Sequence, residues 1–171
     1  MAIRALNHAV LYVRDATRSA AFYGDVLGFR VVAEMPGAVF VQAPDSTNDH
    51  DLGLFSIGDG ASSSPAGRGG AVGLYHLAWE VGTLADLVSI RHQLAEAGAL
   101  VGASDHGTTK SLYAHDPDGI EFEVVWLIPT ELLTDADRLA GASIRPLDLD
   151  AELARFGPDT VGATSVQEPS R

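Results

Sequence analysis

Cysteine is absent from this chain. Disulfides, thiolate metal sites, iron–sulfur clusters and cysteine nucleophiles are therefore excluded. Basic residues are scarce: 11 Lys and Arg stand against 23 Asp and Glu, a formal net charge of −12. That sign opposes capture of a nucleic-acid backbone or an anionic membrane, so neither partner is expected. Long hydrophobic runs are missing as well. No stretch of about 18 apolar residues runs uninterrupted, which argues against a spanning helix. The N-terminal MAIRALNHAVLYVRD has neither an extended apolar core nor a small-residue cleavage pattern, so a cytoplasmic location is expected. What is present, 46% hydrophobic and 20% charged residues, is the composition of a folded globular protein. Any metal or acid–base site must be built from the six His, the carboxylates and the four Tyr.

Hydrophobic period predicts the order of elements. Leu6–Val13 reads as a strand, and Asp15 followed by ATRSAAFYGDVL reads as a capped amphipathic helix that stops at Gly28. Phe29–Glu34, Ala38–Gln42 and Asp51–Ile57 read as three short strands. Gly58–Gly73, dense in Gly and Ser, reads as a linker. The pattern then repeats: strand Leu74–Val81, helix Thr83–Gly98, and strands Leu100–Ala103, Ser111–Ala114 and Ile120–Leu127. Laying LNHAVLYVRD over LYHLAWEVGT aligns His8 with His76, each two residues into its strand. An internal repeat of this kind implies two βαβββ modules, about 5–57 and 74–127. The expected fold class is α+β: one eight-stranded, cup-shaped half-barrel sheet with helices outside, spanning 1–128. Beyond it lies an extension, 129–171, with 8 acidic and 4 basic residues and one short helix at Asp148–Phe156. Its last dozen residues are expected to be disordered. The rest of the extension reads either as loosely packed or as a cover for the mouth of a site.

Strand parity supplies the first chemical clue, because alternate residues face opposite sides. In Leu74–Val81 one face is Tyr75, Leu77, Trp79 and Val81, and the other carries His76 and Glu80. In Ile120–Leu127 one face is Ile120, Phe122, Val124 and Trp126, and the other carries Glu121 and Glu123. His8 likewise shares a face with Val10 and Tyr12. With helices outside the sheet, His8, His76 and one Glu of the last strand would point inward together. Two imidazoles and one carboxylate form the facial triad that holds a divalent metal and leaves positions open. Parity alone does not choose between Glu121 and Glu123. His92 follows Arg91 in the second helix and reads as solvated; His115 receives no chemical role.

These residues resemble the vicinal oxygen chelate superfamily, which includes glyoxalases, thiol-transferring fosfomycin-resistance enzymes, bleomycin-binding proteins and type I extradiol catechol dioxygenases. The resemblance rests on LNHAVLYVRD with AFYGDVLGF, on LYHLAWEV and on LYAHDPDGIEFEVVW, over about residues 5–127. It implies His8, His76 and Glu123 as metal ligands. A further similarity to single-domain extradiol catechol 2,3-dioxygenases implies His50, in NDHDLGLF, as an acid–base residue and Tyr113, ten residues before Glu123, as a contact to a catechol oxygen. His106 resembles a further site His of that subgroup, with a spacing to the Tyr about two residues shorter. PLDLD at Pro146–Asp150 is also similar to the tail of those enzymes.

What the resemblance implies is an Fe(II)-dependent dioxygenase that opens a small aromatic diol with dioxygen, acting as a homodimer. Mn(II), Zn(II) or Ni(II) suit the same donors, because ligand type alone does not select among them. One alternative is a glyoxalase-like isomerase, which places a fourth ligand on the strand corresponding to Asp51–Ile57; no His or Glu occupies the centre of that strand. A thiol-transferase-like enzyme has three ligands and stays open. The third reading is a metal-free protein that binds a small molecule such as an antibiotic.

Overall fold

The computed structural model describes residues 3, 5–62, 72–141 and 143–164. The chain divides into two compact units, Met1–Gly69 with Asp116–Ile120, and Gly70–His115 with Glu121–Arg171. The middle of the predicted linker, 63–71, and the final residues 165–171 lie outside the described residues.

In the first unit the order is β1 (Ala9–Val13), α1 (Ala16–Leu27), β2 (Arg30–Met35), β3 (Ala38–Gln42) and β4 (Leu52–Ser56). The helix begins where Asp15, in extended conformation, accepts hydrogen bonds from the Thr17 and Arg18 amides. It stops at Gly28, whose φ of 75° is the left-handed conformation that a side chain disfavours. Ala16, Ala20, Tyr23 and Val26 recur at helical spacing and are buried. They face a sheet of order β1-β4-β3-β2 in which Val41, Leu52 and Leu54 are fully buried. Burial of each such side chain contributes roughly 1.5–3 kcal/mol. β1 runs parallel to β4, since a helix and two strands intervene before the chain returns.

The second unit repeats the order: β5 (Leu77–Glu80), α2 (Leu84–Glu96), β6 (Leu100–Asp105), β7 (Thr109–His115) and β8 (Glu121–Leu127). Thr83 and Asp86 form a reciprocal capping box at the start of α2. The sheet order β5-β8-β7-β6 reproduces that of the first unit, so the internal repeat extends to strand topology. All eight predicted strands form, hydrogen-bonded as two sheets rather than one continuous sheet. The expected parity holds in β8, where Phe122, Val124 and Trp126 are buried and Glu121 and Glu123 lie on the other, half-buried face.

Several boundaries differ from the sequence reading. His8 and His76 do not lie within strands: the ladders open at Ala9↔Leu52 and Leu77↔Phe122, one residue after each His. Strands β6 and β7 are longer than predicted, because they pair antiparallel out to Asp105↔Lys110.

The C-terminal extension joins the second unit. After a single 3-10 turn at Thr130–Leu132 come α3 (Asp135–Ala140), β9 (Arg145–Pro146) and α4 (Leu149–Phe156). β9 adds a fifth strand beside β6. Phe156 packs edge-on against Trp126 with ring centroids 5.4 Å apart, and the Arg155 guanidinium lies 4.3 Å from the Phe156 centroid. The residues just beyond α4 are also joined: Val161 bridges Thr83, and the Ala163 amide donates to Leu127 O at 3.0 Å. The expected disorder of the last dozen residues thus does not hold for 160–163: Thr160 O accepts from the Leu84 amide, and the Gly162 and Ala163 amides donate to Gly82 O and Leu127 O.

Asp137 pins α3 to α4. Arg155 donates to both of its carboxylate oxygens, at 2.8 and 2.6 Å, and the Thr134 hydroxyl adds a third bond. The Arg155 guanidinium, outweighing burial, holds the Asp137 carboxyl well below the usual carboxylate range. A lowered folded pKa contributes stability that is complete above the unfolded value of about 3.9 and is lost as pH falls through the folded value. Asp137→Asn should therefore cost about 2 kcal/mol at neutral pH, since charge-assisted hydrogen bonds contribute about 1.5–3 kcal/mol. Thermal melts should show wild type ahead by about 5 °C at pH 7, with the gap closing below about pH 4. A gap that stayed constant down to strongly acid pH would contradict this role.

Candidate metal centre

In the first unit, His8 stands immediately before β1, and its Nδ1 is 2.7 Å from Asn7 Oδ1. A ring nitrogen engaged by an acceptor fixes the tautomer and leaves Nε2 to act as an electron-pair donor. His50 lies beside it, with ring centroids 4.5 Å apart, and its other side meets Phe40 at 5.0 Å. The loop that delivers His50 is built around Asp51. This buried carboxylate accepts from the Ala43 amide at 2.8 Å, the Ser46 hydroxyl at 2.9 Å and Asn48 Nδ2 at 2.8 Å. Asn48 Nδ2 also donates to Asn7 O at 2.8 Å, so the loop and the segment before β1 are tied together. The turn-forming residues before His50 therefore hold it beside His8, rather than leaving it as a solvated loop residue.

In the second unit, His76 precedes β5 and faces β8. Its Nε2 lies 3.1 Å from Glu123 Oε2, and its Nδ1 lies 3.6 Å from Glu121 Oε1. The two carboxylates that parity left equivalent thus serve different nitrogens of one imidazole. Glu121 also approaches His115 Nε2 at 3.6 Å. Tyr113 sits across the ladder from Glu123, its ring 5.8 Å from that of His76. Its hydroxyl shares a 2.8 Å hydrogen bond with His106 Nε2. Burial, with the nearby Glu123 carboxylate, pushes the Tyr113 phenol up to about 12, so it keeps its proton at neutral pH.

The donors present suit a divalent metal. Two ligands at right angles, each about 2.0–2.2 Å from an ion, stand roughly 3 Å apart, which is the spacing of His76 Nε2 and Glu123 Oε2. His76 Nδ1 is buried without a hydrogen-bond partner and faces Glu121, the placement of an outer acceptor that orients a ligating imidazole. Among the described residues, no group of three or more His, Asp or Glu is gathered as a metal-holding cluster. His8 belongs to the first unit, and His76 and Glu123 belong to the second. Of the six candidate residues, the structure brings together His76 with Glu123, His106 with Tyr113, and His8 with His50. His92 is exposed on α2, as expected.

Sequence reasoning passed over two contributors. Glu121 was visible only as the parity twin of Glu123, and Asn7 only as the neighbour of His8. In both cases the signal is position beside a candidate ligand, and only side-chain geometry converts it to a role. No helix among the described residues is long and apolar enough to cross a membrane.

The profile of the Glyoxalase/Bleomycin resistance protein/Dioxygenase superfamily matches residues 5–124. The chain is 34% identical over 133 residues to biphenyl-2,3-diol 1,2-dioxygenase 3 of Rhodococcus globerulus, covering 76% of this chain and 68% of that protein. It is 29% identical over 119 residues to catechol-2,3-dioxygenase of Bacillus subtilis (strain 168), spanning 70% of this chain but only 40% of that longer protein. Among solved structures, a glyoxylase/bleomycin resistance protein/dioxygenase domain from Frankia sp. EAN1pec superposes with a TM-score of 0.59 at 23% identity, over 72% of this chain and 92% of that one. Lactoylglutathione lyase from Agrobacterium tumefaciens superposes with a TM-score of 0.52 at 26% identity, over 71% and 92% of the two chains. The fold, the repeat and the profile match agree: the chain belongs to the Glyoxalase/Bleomycin resistance protein/Dioxygenase superfamily.

Proposed function

We propose that this protein is an Fe(II)-dependent extradiol dioxygenase that opens the ring of a catechol-type diol with dioxygen. The observation that carries the reading is the His76–Glu123 donor pair, 3.1 Å apart, next to a Tyr113 hydroxyl already held by His106. Identity to two proteins named as dioxygenases of aromatic diols supports it.

In this reading His8, His76 and Glu123 hold the metal. Two neutral imidazoles and one carboxylate would leave a divalent ion with a net charge of about +1, a charge that would favour a diol in its monoanionic form. A metal held there would supply the redox chemistry that a diol and dioxygen need to react. The remaining work falls to the chain. Tyr113, protonated at neutral pH, offers its hydroxyl to a substrate oxygen, and His106 fixes the direction of that hydroxyl. Ring opening moves a proton from a diol hydroxyl and returns one to oxygen, and His50, whose imidazole carries both a donor and an acceptor nitrogen, is the group assigned to these transfers. The product is a ring-opened semialdehyde, cleaved beside the two hydroxyls rather than between them.

The isomerase alternative needs a fourth ligand on β4. There Leu52 and Leu54 are buried and the remaining residues are Gly53, Phe55 and Ser56, so the strand offers no imidazole or carboxylate. The test is to load the protein with Fe(II) without air, add a panel of catechols, then admit air. Oxygen uptake with a yellow product is expected. Metal binding with no oxygen uptake across the panel would refute the proposal and return the isomerase and transferase readings.

A further inference from the structure

His106 occupies the hairpin turn between β6 and β7, the kind of connection where side chains are ordinarily mobile. Here the turn is braced from within. The His106 amide donates to Thr109 O and the Thr108 amide donates to His106 O, both at 3.0 Å. Asp105 Oδ1 accepts from the Gly107 amide at 2.7 Å and from Lys110 Nζ at 2.6 Å. Lys110 is buried, so its charge has to be balanced inside the unit.

Much of that balance comes from the C-terminal segment. Arg145 donates to Asp105 Oδ2 at 2.7 Å from β9, which pairs with the end of β6. Glu152 on α4 places Oε1 3.3 Å from Lys110 Nζ. Two cations and two anions, Lys110, Arg145, Asp105 and Glu152, thus surround the base of the His106 turn with no net charge. The turn is also seated directly on α3. Gly107, at a φ of +77°, lies so close to the helix end that a Cβ there would overlap Asp137 O and stand 2.7 Å from the Gly141 amide nitrogen. Thr130–Phe156 lies wholly beyond residue 124, where the superfamily profile ends.

We propose that the segment Thr130–Phe156 is a positioning element for His106, with Arg145, Glu152 and Lys110 as positioning residues that act through Asp105. The His106–Tyr113 hydrogen bond then depends on side chains that touch neither ring. The inference rests on the reading in which this pair meets the diol, because a small misplacement of an orienting group costs rate only if that group orients substrate.

Two variants test it. Arg145→Ala removes a half-exposed side chain and leaves no cavity in the core, and Glu152→Gln keeps shape while removing charge. The first readout needs no turnover: with 15N-labelled histidine, NMR follows the His106 ring and its contacts to the Tyr113 ring in the full chain. Both variants should lose or broaden those contacts, Arg145→Ala while melting close to wild type, and Arg145→Lys should restore them in part. With Fe(II) and an accepted catechol, kcat should fall roughly tenfold while KM moves less than about twofold. Unchanged His106–Tyr113 contacts in both variants would overturn the proposal, whatever the melting temperatures do. If wild type turns over no catechol, the functional reading fails and the NMR result alone decides whether the segment positions His106.

Discussion

Glu123→Ala is expected to leave a folded chain that no longer retains iron and no longer consumes oxygen. The residue lies on the half-buried face of β8, between Phe122 and Val124 on the buried face, so truncation removes a carboxylate without opening the core. What it removes is the only anionic ligand of the proposed triad and the 3.1 Å partner of His76 Nε2. Two neutral nitrogens remain, and a divalent ion then keeps its full charge. Loss of an outer acceptor typically weakens metal binding by about 10–100-fold, so loss of a charged ligand should exceed that range. Glu121→Ala supplies the comparison within the same strand. It removes the acceptor facing His76 Nδ1 and should fall inside that range, with partial activity recovered at high iron concentration. Metal analysis after dialysis against Fe(II), beside circular dichroism to show folding, separates the two. Equal iron retention by Glu123→Ala and wild type would remove Glu123 from the ligand set.

The second large effect is expected at His50. A phenyl ring there preserves the ring contacts with Phe40 and His8 while removing both ring nitrogens. His50→Phe should therefore bind iron and catechol nearly as wild type does, yet turn over about 10²–10⁴-fold more slowly, the usual contribution of a positioned proton-transfer group. Iron content, anaerobic catechol binding and kcat measured on one preparation distinguish this from structural damage. If His50→Phe instead abolished metal binding, His50 would itself be a ligand and the four-ligand isomerase reading would gain.

Local chemistry accounts for the parts of the fold that could be read in advance. Asp15 and Gly28 bound α1, Thr83 and Asp86 cap α2, and the alternation of Phe122, Val124 and Trp126 with two Glu marks a one-sided strand. Each is decided within a few residues of itself. The unread features are tertiary. A ladder begins where its partner begins, so His8 and His76 fall just outside strands whose ends depend on Leu52 and Phe122. β9 is two residues long and exists only because β6 offers an edge. Lys110 lies just outside the strand predicted at Ser111–Ala114, and only its pairing with Asp105 and Glu152 explains its burial.

The same distinction runs through the site. Residue types and parity named His8, His76 and a pair of Glu, whereas the separate duties of Glu121 and Glu123 depend on which nitrogen each one faces. The loop carrying His50 looked like a run of turn formers, and its order comes from one buried carboxylate, Asp51, that gathers three donors. In the extension, sequence located the helix of residues 149–156 but could not show that it reaches back to the His106 turn.

The central claim is ring opening beside the hydroxyls, performed on iron held by two His and one Glu. Its most direct measurement is the structure of the product formed when the iron-loaded protein consumes dioxygen with a catechol from the panel, with oxygen uptake followed in the same vessel. One dioxygen consumed per diol and a semialdehyde cleaved at the bond next to the two hydroxyls are expected. A dicarboxylic acid cleaved between the hydroxyls, or an intact ring with no oxygen consumed, would contradict it.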